Sequence, residues 1–128
     1  MKLNPDCIRD ILITVEMHTS LKTPIRFDPH SIQPPASDYP DDEVLYHVKQ
    51  CELSGFFGEE TLWFMNGGCM VRYLSPAGHQ FLSDIRSDNN WNKTKEIAKN
   101  VGSDSLSALK DIATGIISSM IQKQLGLL

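Results

Sequence analysis

Between Thr61 and Leu74 two β-prone runs, Thr61–Met65 and Cys69–Leu74, are separated only by Asn66-Gly67-Gly68. An Asn-Gly step between such runs is the strongest local signal for a β-hairpin, because tight turns require residues that accept positive φ. Phe56-Phe57 leads into the hairpin, and Ser75-Pro76 leaves it with a capping side chain followed by a proline at the first helical position. The chain therefore carries an antiparallel hairpin with helix signals directly before and after it.

Those helices can be placed from periodicity and punctuation. Asn4-Pro5-Asp6 is a helix start, and Ile8, Ile11, Leu12 and Val15 form an i, i+3, i+4, i+7 stripe, predicting a helix over about 5–19. Thr23–Asp28 suits a short strand with Ile25 and Phe27 on one side. Pro29–Pro40, with prolines at 29, 34, 35 and 40, reads as a loop with at most one irregular turn. A second helix runs from Asp41 to Ser54, with Val44, Leu45, Val48 and Cys51 inward and Gly55 as the stop. Its opposite face carries Asp42, Tyr46, Lys49, Gln50 and Leu53, two of them apolar.

After the hairpin, Phe81, Leu82 and Ile85 point inward from a helix that Asp88-Asn89-Asn90 interrupts. A further helix over about 91–101 shows Trp91, Thr94, Ala98 and Val101 on one face and ends at Gly102. Ser105 opens the last helix, to about 126, whose apolar face covers nearly half the cylinder, from Leu106 and Leu109 to Ile121 and Leu125. A face that wide packs deeply in its own fold or meets another chain.

Helix, short strand, helix, hairpin, helix is the order of a winged-helix fold, with the hairpin as the wing and the second helix in the recognition position. The expected class is α+β, a winged-helix-like domain over 1–88 followed by a helical extension over 89–128. One of the usual three helices is absent or reduced to the proline-rich loop.

The same residues carry a family resemblance. The blocks Asn4–Asp10, Tyr46–Leu53, Leu74–Leu82 and Trp91–Ala98 match, in order, an uncharacterised bacterial and prophage family, the domain of unknown function numbered 2513. The chain departs from the family pattern at Ser75 and Ala77, where the family carries threonine and glutamate. The resemblance implies a cytoplasmic, often phage-borne, winged-helix-like protein and supplies neither reaction nor catalytic residues.

Charge bears on the partner. The net charge is −4, and residues 1–60 hold eleven acids against five bases. A polyanion draws its affinity from phosphate neutralisation, so this front weighs against DNA. A DNA-binding regulator, the alternative reading, would use Lys49, Gln50, Arg72, Arg86, Lys93, Lys95 and Lys99, but the second helix offers no arginine for a bidentate guanine contact.

Chemistry finds little support. His47, Cys51, Cys69 and His79 are the best metal candidates, yet no C-x-x-C knuckle exists, and the plainer reading makes Cys51 a small core residue with His47 at the core boundary. Ser107-Ala108-Leu109-Lys110 matches S-x-x-K, which twelve serines and eight lysines produce readily by chance. Asp41-Asp42 fits helix capping, and Glu59-Glu60 a polar approach to the hairpin. Gly67-Gly68 precedes no helix, so it is no phosphate loop.

No enzyme, cofactor or metal is expected. Three cysteines form no disulfide framework and point to a reducing, cytoplasmic setting. The start lacks an apolar h-region, and no run of about 18 apolar residues could span a membrane. The expected function is a protein–protein interaction module. It binds another protein through Asp42, Tyr46, Lys49, Gln50 and Leu53, and pairs copies through Leu109, Ile112, Ile116 and Met120 of the last helix.

Overall fold

In the computed structural model, which describes residues 1–127, the Asn4 side chain accepts hydrogen bonds from the Asp6 and Cys7 N–H groups and opens helix α1, Pro5–His18. Cys7, Ile8, Ile11, Leu12 and Val15 along its inner stripe are fully buried. Strand β1 is Ile25–Phe27, with Ile25 and Phe27 inward and Arg26 outward, as the alternation predicts.

The proline-rich stretch is a loop with one 3₁₀ turn, Ala36–Asp38. Two polar anchors fix it to α1. The buried Thr14 hydroxyl donates to the Asp10 carbonyl (2.6 Å) and accepts from the Ala36 N–H (3.0 Å), while the Tyr39 hydroxyl donates to the Asp10 carboxylate (2.8 Å). Both capacities of the threonine hydroxyl are thereby satisfied, as burial demands.

Helix α2, Asp41–Leu53, begins with three acids in its first turn, where the helix dipole favours them. Its buried row is Val44, His47, Val48 and Cys51. His47 stands where the sequence reading has Leu45, which lies half-buried at the edge of that row.

Strands β2, Phe57–Gly58, β3, Leu62–Trp63, β4, Cys69–Val71, and β5, Tyr73–Leu74, complete the sheets. All pairings are antiparallel: one sheet has the order β1-β4-β3, and β2 pairs with β5. The expected continuous strand Cys69–Leu74 is divided at Arg72, because β4 pairs with β1 and β3 whereas β5 pairs with β2.

The hairpin turn uses three residues, not the Asn-Gly pair alone. Phe64 N–H donates to the Gly68 carbonyl (2.8 Å), Gly67 N–H to the Phe64 carbonyl (3.0 Å), and only Gly67 takes positive φ (87°). This is the turn-plus-bulge solution, with Asn66 Oδ1 accepting from the Gly68 N–H (2.9 Å).

Helix α3, Pro76–Ile85, starts on the Ser75 cap, whose hydroxyl accepts from the Gly78 N–H (3.1 Å). A side chain at Gly78 would collide with the backbone carbonyl of Phe56, so the helix start sits directly on the chain entering β2. Phe81, Leu82 and Ile85 are buried as expected.

Helix α4 is Asp88–Val101, three residues longer at its start than the sequence reading, because Ser87 caps it by accepting from the Asn90 N–H (3.1 Å). Asp88-Asn89-Asn90 is therefore its first turn. Trp91, Thr94 and Ala98 are buried, whereas Val101, in the last turn, is exposed.

Helix α5, Leu106–Gln124, is capped by Ser105 and packs along α4, with Leu109, Ala113 and Ile116 buried. The chain forms two compact units, Met1–His79 and Gln80 onward. Among the described residues no helix is long and apolar enough to cross a membrane.

Candidate interaction face

The outer face of α2 is built by helical spacing alone: Asp42, Tyr46, Lys49 and Leu53 recur at three and four residues, with Gln50 beside them. Asp42 and Lys49 are exposed and Gln50 is half-buried. Tyr46 is 37% exposed and Leu53 70%.

The hairpin adds to this face through Trp63, which is 36% exposed. Its indole N–H donates to both carboxylate oxygens of Glu52 on α2 (3.2 and 3.3 Å). Lys49 Nζ lies 2.7 Å from the same carboxylate and 5.2 Å from the centre of the Trp63 ring. Leu62 and Met65 are also exposed, Met65 entirely.

Two elements thus present apolar and aromatic surface around a charge that is already neutralised. The sequence reading missed the hairpin's share. The available signal was the unbroken apolar run Leu62 to Met65, since a strand with one buried face must turn about half of such a run outward.

The inner side of α2 is a structural knot. His47 is fully buried. Its Nε2 accepts from the Asn4 N–H and its Nδ1–H donates to the Glu43 carbonyl, both at 2.7 Å, which fixes the tautomer. The Asn4 amide also donates to the Glu43 carboxylate (2.9 Å).

With both ring nitrogens engaged, His47 ties the start of α1 to α2 and has no lone pair left for a metal. Of its proposed companions, Cys51 and Cys69 are buried and His79 is exposed. Among the described residues no three His, Cys, Asp or Glu side chains gather as a metal site.

Burial pushes the Cys7 and Cys69 thiols up to about 12 and raises that of Cys51 as well. All three are free and buried, so none presents the thiolate a nucleophile needs. The acidic pairs hold structure: Asp41 accepts from the His30 N–H (2.6 Å), while Glu59 accepts from the Tyr73 hydroxyl (3.0 Å) and pairs with Arg72 (3.3 Å). Ser107 is an exposed residue in the first turn of α5.

The residues considered for DNA fall into two groups. Lys49 is neutralised by Glu52 and Arg72 by Glu59. Arg86 follows α3, and Lys93, Lys95 and Lys99 lie on α4, with Lys95 Nζ 5.4 Å from the Trp91 ring centre.

Of the residues considered for chain pairing, Leu109 and Ile116 are buried, Ile112 is half-buried and Met120 is half-exposed. Among the described residues, the apolar side chains left outward at this end are Met120, Ile121, Leu125 (67% exposed) and Leu127. Length is one cause: α5 has 19 residues and α4 has 14, so α4 cannot cover the final turns of its neighbour.

A family model described as "Hypothetical protein (DUF2513)" matches residues 2–104. An uncharacterized protein of Haemophilus influenzae (strain ATCC 51907 / DSM 11121 / KW20 / Rd) is 31% identical over 123 residues, covering 94% of this chain and 99% of its own length. No solved structure matches the chain.

Proposed function

The chain belongs to the DUF2513 family, and from its exposed surface we propose that it is a non-enzymatic protein-interaction module of winged-helix type. The observation that carries the reading is the face formed by Tyr46, Leu53, Leu62, Trp63 and Met65, beside which Lys49 is already paired with Glu52. Protruding aromatic and aliphatic side chains are what a protein partner's groove desolvates at modest cost. A phosphate backbone gains nothing from them.

The winged-helix reading draws support from the β1-β4-β3 order, in which the strand before α2 pairs with the returning arm of the hairpin. The 3₁₀ turn Ala36–Asp38 stands where that fold places its remaining helix. Three reduced, buried cysteines suit a cytoplasmic setting. Copies of the chain pair through the outward end of α5, by Ile121 and Leu125.

The test is recovery of the partner with the chain held at its native level. The double substitution Leu53→Asp and Met65→Asp is expected to release the partner while leaving the circular dichroism spectrum unchanged. Retention of the same partner would sink the reading. Recovery of a specific DNA fragment with steeply salt-dependent affinity would install the regulator in its place.

A further inference from the structure

Helices α4 and α5 leave an open groove of about 540 Å³ on one flank of the second unit. Ile97, Ile112, Ile116 and Met120 are its apolar lining, and Lys93 of α4 and Lys123 of α5 line it as well. Periodicity puts them there: Lys93 and Ile97 are one turn apart, and Ile112, Ile116, Ser119 and Lys123 recur at three and four. Among the described residues neither lysine has an ion-pair partner, whereas Arg26, Lys49 and Arg72 each face a carboxylate.

Gly115 lines the same groove. A glycine inside a helix costs about 0.5–1 kcal/mol relative to alanine, so a reason for it is worth seeking. Nothing among the described residues supplies one: its φ is not positive, and a Cβ added there meets no atom within 4 Å. What the missing side chain does provide is room for another backbone to come close.

We propose that this groove binds an acidic amphipathic helix from a partner protein. From Ile112 to Lys123 the α5 wall rises about 16 Å, enough for three turns of a docked helix. Its apolar positions at i, i+4 and i+7 would sit against the isoleucines and Met120. Carboxylates on both flanks of that helix would meet Lys93 and Lys123, and a basic helix of the same shape would be repelled by them. The groove is too open to enclose a small molecule, which a ligand pocket does by burying most of its surface. This surface lies on a different unit from the α2 face and stands or falls separately.

A display library of helical 14-residue peptides, varied in apolar pattern and charge, would be panned against the full chain. The enriched peptides are expected to carry acidic flanks around an i, i+4, i+7 apolar row. Their affinity should fall at least tenfold with Lys93→Glu plus Lys123→Glu, and again with Gly115→Leu, which fills the groove. Gly115→Ala serves as the folding control, with helix content retained and Tm raised. Enrichment of basic or uncharged peptides, or binding indifferent to the charge reversal, would overturn the proposal. So would self-association abolished by the double reversal, which would make a second copy the occupant, or reversal-sensitive binding to phosphatidylglycerol vesicles, which would make it a lipid surface.

Discussion

Helices α1 and α5 carry the same kind of sequence signal, an apolar stripe at helical spacing, and meet opposite fates. The stripe of α1 is sealed: α2, the 3₁₀ turn and β5 all pack against it, and Ile8, Ile11, Leu12 and Val15 are wholly inside. The wider stripe of α5 is covered where α4 runs beside it and remains outward at Met120, Ile121 and Leu125. Apolar width therefore reports intramolecular packing only up to the surface the chain can supply to cover it. The excess is a surface for something else. Tyr46, Leu53 and the hairpin residues show the same excess in the first unit.

The comparison can be broken most directly by truncation inside the sealed stripe. Ile11→Ala should cost about 2–5 kcal/mol, through lost burial and a cavity, read as a fall in the urea midpoint. A loss below about 1 kcal/mol would show that α1 is not sealed.

His47→Leu keeps bulk beside α1 but strands the Asn4 N–H, and should cost about 1–3 kcal/mol in the same assay. A neutral result would remove the knot from the account.

Alkaline pH probes the sealed core through its thiols. Cys7 and Cys69 are pushed up to about 12 by burial, from 9.0, so the unfolded chain ionises first. Their contribution is fully present below about pH 9 and is lost as pH rises toward the folded value. Stability should decline over that window, and the native thiols should resist a disulfide reagent at pH 8. Fast modification of any of the three in the folded state would contradict it.

At the bare end of α5 the effect reverses in kind. Ile121→Lys should change the stability of the single chain by less than about 0.5 kcal/mol, yet shift the sedimentation profile from paired to single copies. A comparably small effect belongs to the exposed Lys49–Glu52 pair. Lys49→Gln should cost about 0–1 kcal/mol, with its main sign a change in Trp63 fluorescence.

What the sequence makes legible is what is settled within a few residues. The Asn4 and Ser105 caps, the Gly55 and Gly102 stops, the 5–19 helix and the existence of the hairpin are all local choices, and the structure contains them. The start of α4 was equally local, because Ser87 is an ordinary capping residue ahead of Asp88. Tertiary pairing is where the reading ends. The loop anchor from Thr14 to Ala36, the bond from Tyr39 to Asp10 and the seat of His47 against Asn4 span 22, 29 and 43 residues. No periodicity encodes them.

The candidate face divides the same way. Its α2 half follows from one helix's spacing, while Trp63 joins it through Glu52 and Lys49, which the fold brings alongside. On α5, the wide apolar face was visible, but which of Leu109, Ile112, Ile116 and Met120 stay outward depends on the length and placement of α4.

A photo-crosslinking side chain placed at position 53 tests the central claim most directly, with position 21, at least as exposed in the same unit, as the control. In cells, position 53 should capture one polypeptide that position 21 does not, and Trp63→Ala should weaken that capture. Equal capture from both positions, or capture of DNA from position 53, would contradict the account.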